Sequence, residues 1–275
     1  MRTQSIPILS LLLFACGGGG SSGGVVSDPP LTDGNWYRPA PLVSWQWQLT
    51  NSVNTGYDVD IYDIDLFDTS TETIASLQAA NRKVICYFSA GSYENWRDDA
   101  ADFNAEDLGD PLDGWPGERW LDIRSTNVRA IMQTRLDLAV QKGCDAVEPD
   151  NLDGYTNNPG LDFTASDQLD YNRWLANEAH SRDLGVGLKN DLDQVDQLLD
   201  YFDFAVNEQC FEYDECNALE PFILDNKAVL NAEYKAQYVS NTAARNSLCT
   251  DALNRQFSTL ILPEDLDDSF RYSCN

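Results

Sequence analysis

The feature that most constrains this chain is a repeated switch between short apolar runs and longer helical patterns. Eight runs of strand character fall at 42–48, 59–66, 83–89, 146–150, 185–189, 202–207, 227–232 and 256–262. Helical stretches lie between them at 72–82, 127–142, 171–181 and 195–199, with weaker patterning around 216–226 and 239–249. In 127–142 the apolar residues Val128, Ile131, Leu136, Leu138 and Val140 gather on one face and its flank, and Gly143 follows as a stop signal. Strands alternating with helices are the mark of βαβ units, whose strands pair in parallel. Eight such strands predict an α/β fold, a single (β/α)8 TIM barrel. There is no internal repeat, and no second domain is required.

The first residues stand apart from this pattern. Arg2 precedes the apolar run from Ile6 to Ala15, which ends at Cys16. A basic start, a short apolar core and a small residue before the cut describe a secretory signal. The run is too short to span a bilayer, which takes about 20 apolar residues. Leu13-Phe14-Ala15-Cys16 resembles a bacterial lipobox, in which the cysteine is lipidated; the alternative is an ordinary signal with Cys16 an incidental thiol. Residues 17–24 are only Gly and Ser, and a flexible chain of about 14 residues reaches roughly 20 Å. The expected division is a signal peptide at 1–15, a tether at 16–35 and the folded domain at 36–275. The expected location is the bacterial cell surface or periplasm, with membrane contact through the lipid alone.

With Cys16 set aside, six cysteines remain. An even number in an exported chain favours disulfides, although six permit 15 pairings. Short separations favour Cys210–Cys216 and Cys249–Cys274, while Cys86 and Cys144, on strands, are either bridged or buried thiols. The formal charge is −27, from 45 acidic and 18 basic residues. That excludes a nucleic-acid partner, which needs a basic footprint, and suits either a cationic ligand or a solubility adaptation.

Active sites of such barrels are built where strands end and the following loops begin. Those positions hold Trp47 and Gln48, then Asp63 and Asp65, then Tyr87, Ser89 and Glu94. Further along come Glu148-Pro149-Asp150-Asn151-Leu152-Asp153-Gly154-Tyr155, Lys189-Asn190-Asp191, Asn207-Glu208-Gln209-Cys210 and Asn231-Ala232-Glu233-Tyr234. Carboxylates and amides bond hydroxyls, and aromatic faces stack on sugar rings, so this is the chemistry of a carbohydrate site. The long irregular stretch 90–119, with Trp96 and Trp115, is expected to lie over the same end. His180 is the sole histidine and sits mid-helix, which removes a Ser-His-Asp triad and a His-rich zinc site. No glycine-rich phosphate loop opens a helix. The Asp-rich stretch 58–68 lacks calcium-loop spacing, and Val59, Ile61 and Ile64 alternate as in a strand. No metal or cofactor is expected. Paired carboxylates remain, and glycoside cleavage needs two of them, about 5–5.5 Å apart for retention or 6.5–9.5 Å for inversion.

At these residues the chain resembles a known family. Tyr87-Phe88-Ser89-Ala90-Gly91, Glu148-Pro149-Asp150-Asn151-Leu152-Asp153 and Asn207-Glu208-Gln209-Cys210 together look like glycoside hydrolase family 114. Its members are TIM-barrel endo-α-1,4-polygalactosaminidases, and the likeness runs over residues 42–262. The resemblance implies Asp150 and Glu208 as the catalytic pair. By analogy with barrel glycosidases carrying the nucleophile on strand four, Asp150 is the expected nucleophile and Glu208 the general acid/base, under retention. Trp47, Asp65, Tyr87, Asp153, Tyr155, Lys189, Asn190 and Glu233 are expected to contact sugar, with ion pairing to neighbouring acids the alternative for Lys189. The implied partner is a cationic galactosamine polymer, cut internally by a monomeric enzyme. Rival readings are an endo-glycosidase for another α-linked polymer, a lipid-anchored polysaccharide-binding barrel without catalysis, and a deacetylase, which the missing histidines disfavour.

Overall fold

The computed structural model describes residues 28–275. All eight expected runs form strands: β1 (Trp45–Gln48), β2 (Ile61–Asp65), β3 (Lys83–Ser89), β4 (Ala146–Asp150), β5 (Gly185–Lys189), β6 (Phe204–Glu208), β7 (Val229–Glu233) and β8 (Ser258–Ile261). Each pairs in parallel with its neighbour in chain order. A short strand, Tyr272–Ser273, adds antiparallel to β8. The seam back to β1 is drawn together by Trp45 Nε1 donating to the Ser258 carbonyl at 2.9 Å and by Arg271 donating to the Trp45 carbonyl at 2.7 Å. The result is a (β/α)8 barrel.

The helices are α1 (Thr71–Ala79), α2 (Thr126–Lys142), α3 (Ala165–His180), α4 (Val195–Leu198), α5 (Cys210–Tyr213), α6 (Glu220–Leu224), α7 (Ala236–Ser240) and α8 (Thr242–Asn254). Their ends follow local chemistry. Ser125 Oγ accepts the Asn127 and Val128 N–H groups at the start of α2, and Gly143 closes it at φ 86°, a left-handed value that disfavours other residues. Helix α3 begins well before the expected 171, because Thr164 and Asp167 form a capping box.

Strand alternation divides the apolar residues into two cores. Trp45, Ile61, Ile85, Ala146, Phe204, Val206, Leu230 and Leu260 fill the barrel, while Tyr62, Ile64, Val84, Cys86, Phe88, Val147, Val186 and Leu188 pack outward against the helices. Outward-facing Cys86 is bridged to Cys144 beyond α2, and Cys210–Cys216 and Cys249–Cys274 are bridged as the spacing suggested.

Two segments depart from expectation. The stretch after β3 is ordered: Ser92–Glu94, Leu108–Pro111 and Glu118–Leu121 make a three-stranded antiparallel lid. The domain also starts before residue 36. Tyr201 Oη donates to the Asp28 carbonyl at 2.9 Å, and Asn177 Oδ1 accepts the Leu31 N–H at 2.9 Å. Trp36 stacks on His180 at 4.0 Å and donates its indole N–H to Asp203, which also holds His180 Nε2 at 2.9 Å. Gly185 is required here, since a Cβ would come within 2.2 Å of the Tyr37 carbonyl oxygen. This strap runs beneath the amino-terminal ends of β5 to β7, and His180 is structural.

The Cys86–Cys144 bridge closes a 58-residue span. Replacing both cysteines by serine is expected to lower the unfolding free energy by about 2–4 kcal/mol. A fall in the urea midpoint would register the loss; an unchanged midpoint would show that the bridge adds nothing.

Candidate active site

The carboxyl ends of the strands open into a cleft of about 810 Å³. At its base the Lys189 ammonium, from β5, meets three carboxylates. Its Nζ lies 3.1 Å from Asp150 Oδ1, 3.2 Å from Glu208 Oε2 and 3.2 Å from Glu148 Oε1. Burial opposes the charge on Lys189, but Asp150, Glu208 and Glu148 more than offset it and its pKa rises. The ammonium sits 5.0 Å from the centre of the Trp47 ring and is nearly inaccessible.

Each of the two outer carboxylates has its own tyrosine. Asp150 Oδ2 accepts the Tyr87 hydroxyl at 3.0 Å, and its Oδ1 also accepts the Asn151 N–H at 2.7 Å. Glu208 Oε1 accepts the Tyr234 hydroxyl at 2.5 Å. Burial and the adjacent carboxylates raise both phenols well above their ordinary range, so they stay protonated and donate. Asn190 Oδ1 accepts the Glu208 N–H at 3.1 Å and Asn207 Nδ2 at 3.2 Å, which fixes the end of β6. Because Asp150 and Glu208 each touch Lys189 Nζ, their facing oxygens lie within the sum of those contacts, about 6.3 Å.

The lid supplies the far wall. Arg97 is buried and holds Asp65 through two hydrogen bonds of 3.1 and 2.7 Å, with Glu94 at 2.8 Å. Trp96 and Trp115 each leave about half of their surface exposed beside the cleft. Glu118 accepts the Ser92 hydroxyl at 2.6 Å, and burial, with Glu94 and Asp150 nearby, pushes its carboxyl up to about 7.

Of the residues singled out from sequence, Trp47, Asp65, Tyr87, Asp150, Asp153, Lys189, Asn190 and Glu208 line the cleft. Several have duties other than free sugar contact. Asp65 is bound to Arg97, and Lys189 is an ion-pair partner of the acids, the alternative held open for it. Trp47 keeps an unpartnered indole N–H. Two residues fall outside the lining. Tyr155 turns to Asp191, donating at 3.1 Å. Glu233 is fully buried and accepts the Phe211 N–H at 3.0 Å. In β7 the inward parity belongs to Leu230, Ala232 and Tyr234, so the neighbouring tyrosine reaches the site instead. Strand alternation is the signal for Tyr234; Glu118 and Trp120, which also line the cleft, carry none, because their lid strand is only four residues long. Cys16 lies outside the described residues.

A (β/α)8 barrel with an acidic cleft flanked by tryptophans at its carboxyl end is the architecture of a TIM-barrel glycoside hydrolase. Comparison with known proteins makes this specific: a family model, Glycoside-hydrolase family GH114, matches residues 27–275, and the chain belongs to that family. The chain is similar to Aspergillus fumigatus Ega3, solved in complex with galactosamine, at 46% identity and a TM-score of 0.82 over 86% of this chain and 97% of that one. The glycoside hydrolase domain of PelA from Pseudomonas aeruginosa shares the fold at 11% identity, with a TM-score of 0.67 over 84% of this chain and 98% of that one. No curated protein sequence matches.

Burial raises Glu118, Asp191 and Glu233 to about 7 each. Their folded pKa values exceed the unfolded ones, so the stability they contribute is complete below about pH 4 and is lost as pH rises through about 7. Thermal unfolding is expected at a higher temperature at pH 5 than at pH 8; a lower midpoint at pH 5 would refute the assignment.

Proposed function

We propose that this protein is a retaining endo-glycosidase that cleaves α-1,4 linkages in a galactosamine-containing polymer, with Asp150 as nucleophile and Glu208 as general acid/base. The observation that carries this reading is the shared contact of both carboxylates with Lys189. It holds the two carboxylates close, and a separation of facing oxygens within about 6.3 Å favours retention over the wider spacing that an attacking water needs. The split of roles follows their surroundings. Asp150 is fixed by three donors, whereas Glu208 has two partners and 29% of its side chain exposed, as an acid exchanging protons with water requires.

In the first half of the reaction Glu208 protonates the leaving glycosidic oxygen while Asp150 attacks the anomeric carbon to form a glycosyl ester. In the second half Glu208 takes a proton from water, which displaces Asp150. Negative charge therefore passes from Asp150 to Glu208 and back, and Lys189 stands against both positions. The substrate class rests on charge. Ten carboxylate residues line the cleft against Arg97 and Lys189, and both cations are already engaged with acids. A chain of free amino sugars complements such a surface, and the similar Ega3 was crystallised with galactosamine. The exposed Trp96 and Trp115 offer stacking faces for further sugar units.

The chain is also read as exported and lipid-anchored through Cys16, supported by the apolar run ending at Leu13-Phe14-Ala15-Cys16.

Asp150→Asn and Glu208→Gln are each expected to cut turnover of α-1,4-galactosamine oligomers by about 10²–10⁴-fold, scored by new reducing ends, with the α anomer released first by the wild type. Wild-type rates in both variants would sink the assignment, and binding without cleavage by the unmodified protein would favour a non-catalytic barrel. Separately, Cys16→Ser is expected to move the protein from the membrane fraction to the soluble one; a variant that stays with the membrane would remove the anchor.

A further inference from the structure

Beneath the proposed catalytic pair lie two carboxyl groups that the reaction above leaves idle. Asp63 on β2 and Glu148 on β4 enter the barrel interior from alternate strands, and neither has exposed surface. None of their four oxygens meets a donor with hydrogen-bond geometry. Their strands flank β3, where Asp63 stands beside Ile85 and Glu148 beside Tyr87, so the two inward carboxyl groups face each other across one strand and act on each other's charge, and Lys189 Nζ stands 3.2 Å from Glu148 Oε1. Two bare carboxylates in contact, away from water and without donors, repel and remain unsolvated. One proton between them removes both difficulties, because a carboxylic acid donates an O–H that its neighbour accepts. Burial first, and then the negative charge of Asp63, raise Glu148 well above the carboxylate range, while burial brings Asp63 to about 7. The other groups facing the pair are Asp150 from β4, Lys189 from β5, Tyr87 from β3 and Tyr234 just past β7, and Glu208 reaches it through Lys189.

We propose that Asp63 and Glu148 are positioning residues that share one proton and so present a single negative charge below Lys189, fixing its ammonium between Asp150 and Glu208. This rests on the catalytic assignment above. A doubly charged pair would draw the ammonium down from the cleft, and an uncharged one would leave it held by the two reacting groups alone, whose charges alternate during turnover.

The test compares two substitutions at Glu148 with an infrared measurement. Glu148→Leu, which leaves Asp63 without its partner, is expected to lower kcat about 10²-fold with KM changed less than about threefold. Glu148→Gln keeps an acceptor toward Lys189 and an N–H toward Asp63, and is expected to recover kcat to within about tenfold of wild type. The wild-type minus Glu148→Gln infrared difference spectrum near neutral pH should show one C=O band of a buried carboxylic acid, while the bands of Glu118, Asp191 and Glu233, which both proteins share, cancel. A difference spectrum without that band, or a glutamine variant as impaired as the leucine one, would overturn the proposal. The infrared band is read without substrate, so it stands or falls separately from the proposed activity, and it decides the matter even if the leucine variant fails to fold.

Discussion

Several carboxylates crowd the mouth of this barrel, and their mutual repulsion would scatter them without a cation at the centre. Lys189 is that cation. A buried ammonium costs several kcal/mol unless it is paired, and here Asp150, Glu208 and, through Glu148, the Asp63–Glu148 pair meet it from three directions. The dependence runs both ways: the acids keep the lysine charged, and the lysine sets the distance between the acids. Strands β4, β5 and β6 deliver these groups at matching heights, because each contributes an inward residue at its carboxyl end. Parallel strands in register are what make such a constellation rigid enough for chemistry.

The lid uses the same device at a second place. Arg97 is clamped between Asp65 of the barrel and Glu94 of the lid, so the wall bearing Trp96 and Trp115 is fastened to β2. Behind it, Arg135 of α2 binds Asp99 through two contacts of 2.8 and 2.9 Å and donates to the Ser89 carbonyl at 2.6 Å. With its buried cations spent on structure, the cleft keeps a surplus of carboxylates facing solvent. The strongly acidic composition is thus partly concentrated where a ligand would enter.

Much of this was legible in the sequence. All eight strands coincide with apolar runs, because a strand covered on both faces must be apolar almost throughout, and α2 could be read from Val128, Ile131 and Leu136 with its glycine stop. What escaped did so for physical reasons. The lid strands are only three or four residues long and rich in charge, so no periodicity marks them. Helix α8 buries little besides Leu248, Cys249 and Ala252, which leaves its pattern faint. The bond between Cys86 and Cys144 depends on an outward-facing strand position meeting the end of a distant helix. A carboxylate such as Glu233 suits a sugar site by chemical type, whereas parity in β7 turns Tyr234 inward to Glu208 instead. The roles of Asp65 and Lys189 were hidden in the same way, since Arg97 and the three acids around Lys189 come together only in space.

The strap that begins at Asp28 docks on Asn177 and Tyr201, at the end of the barrel opposite the cleft. A protein gripped by its amino terminus is therefore gripped by its base. Under the anchored reading proposed above, the tether joins the domain on the side away from the cleft, and a long polymer reaches the opening without passing between the domain and its attachment point. That separation of attachment and opening follows from the end of the barrel that residues 28–39 cross.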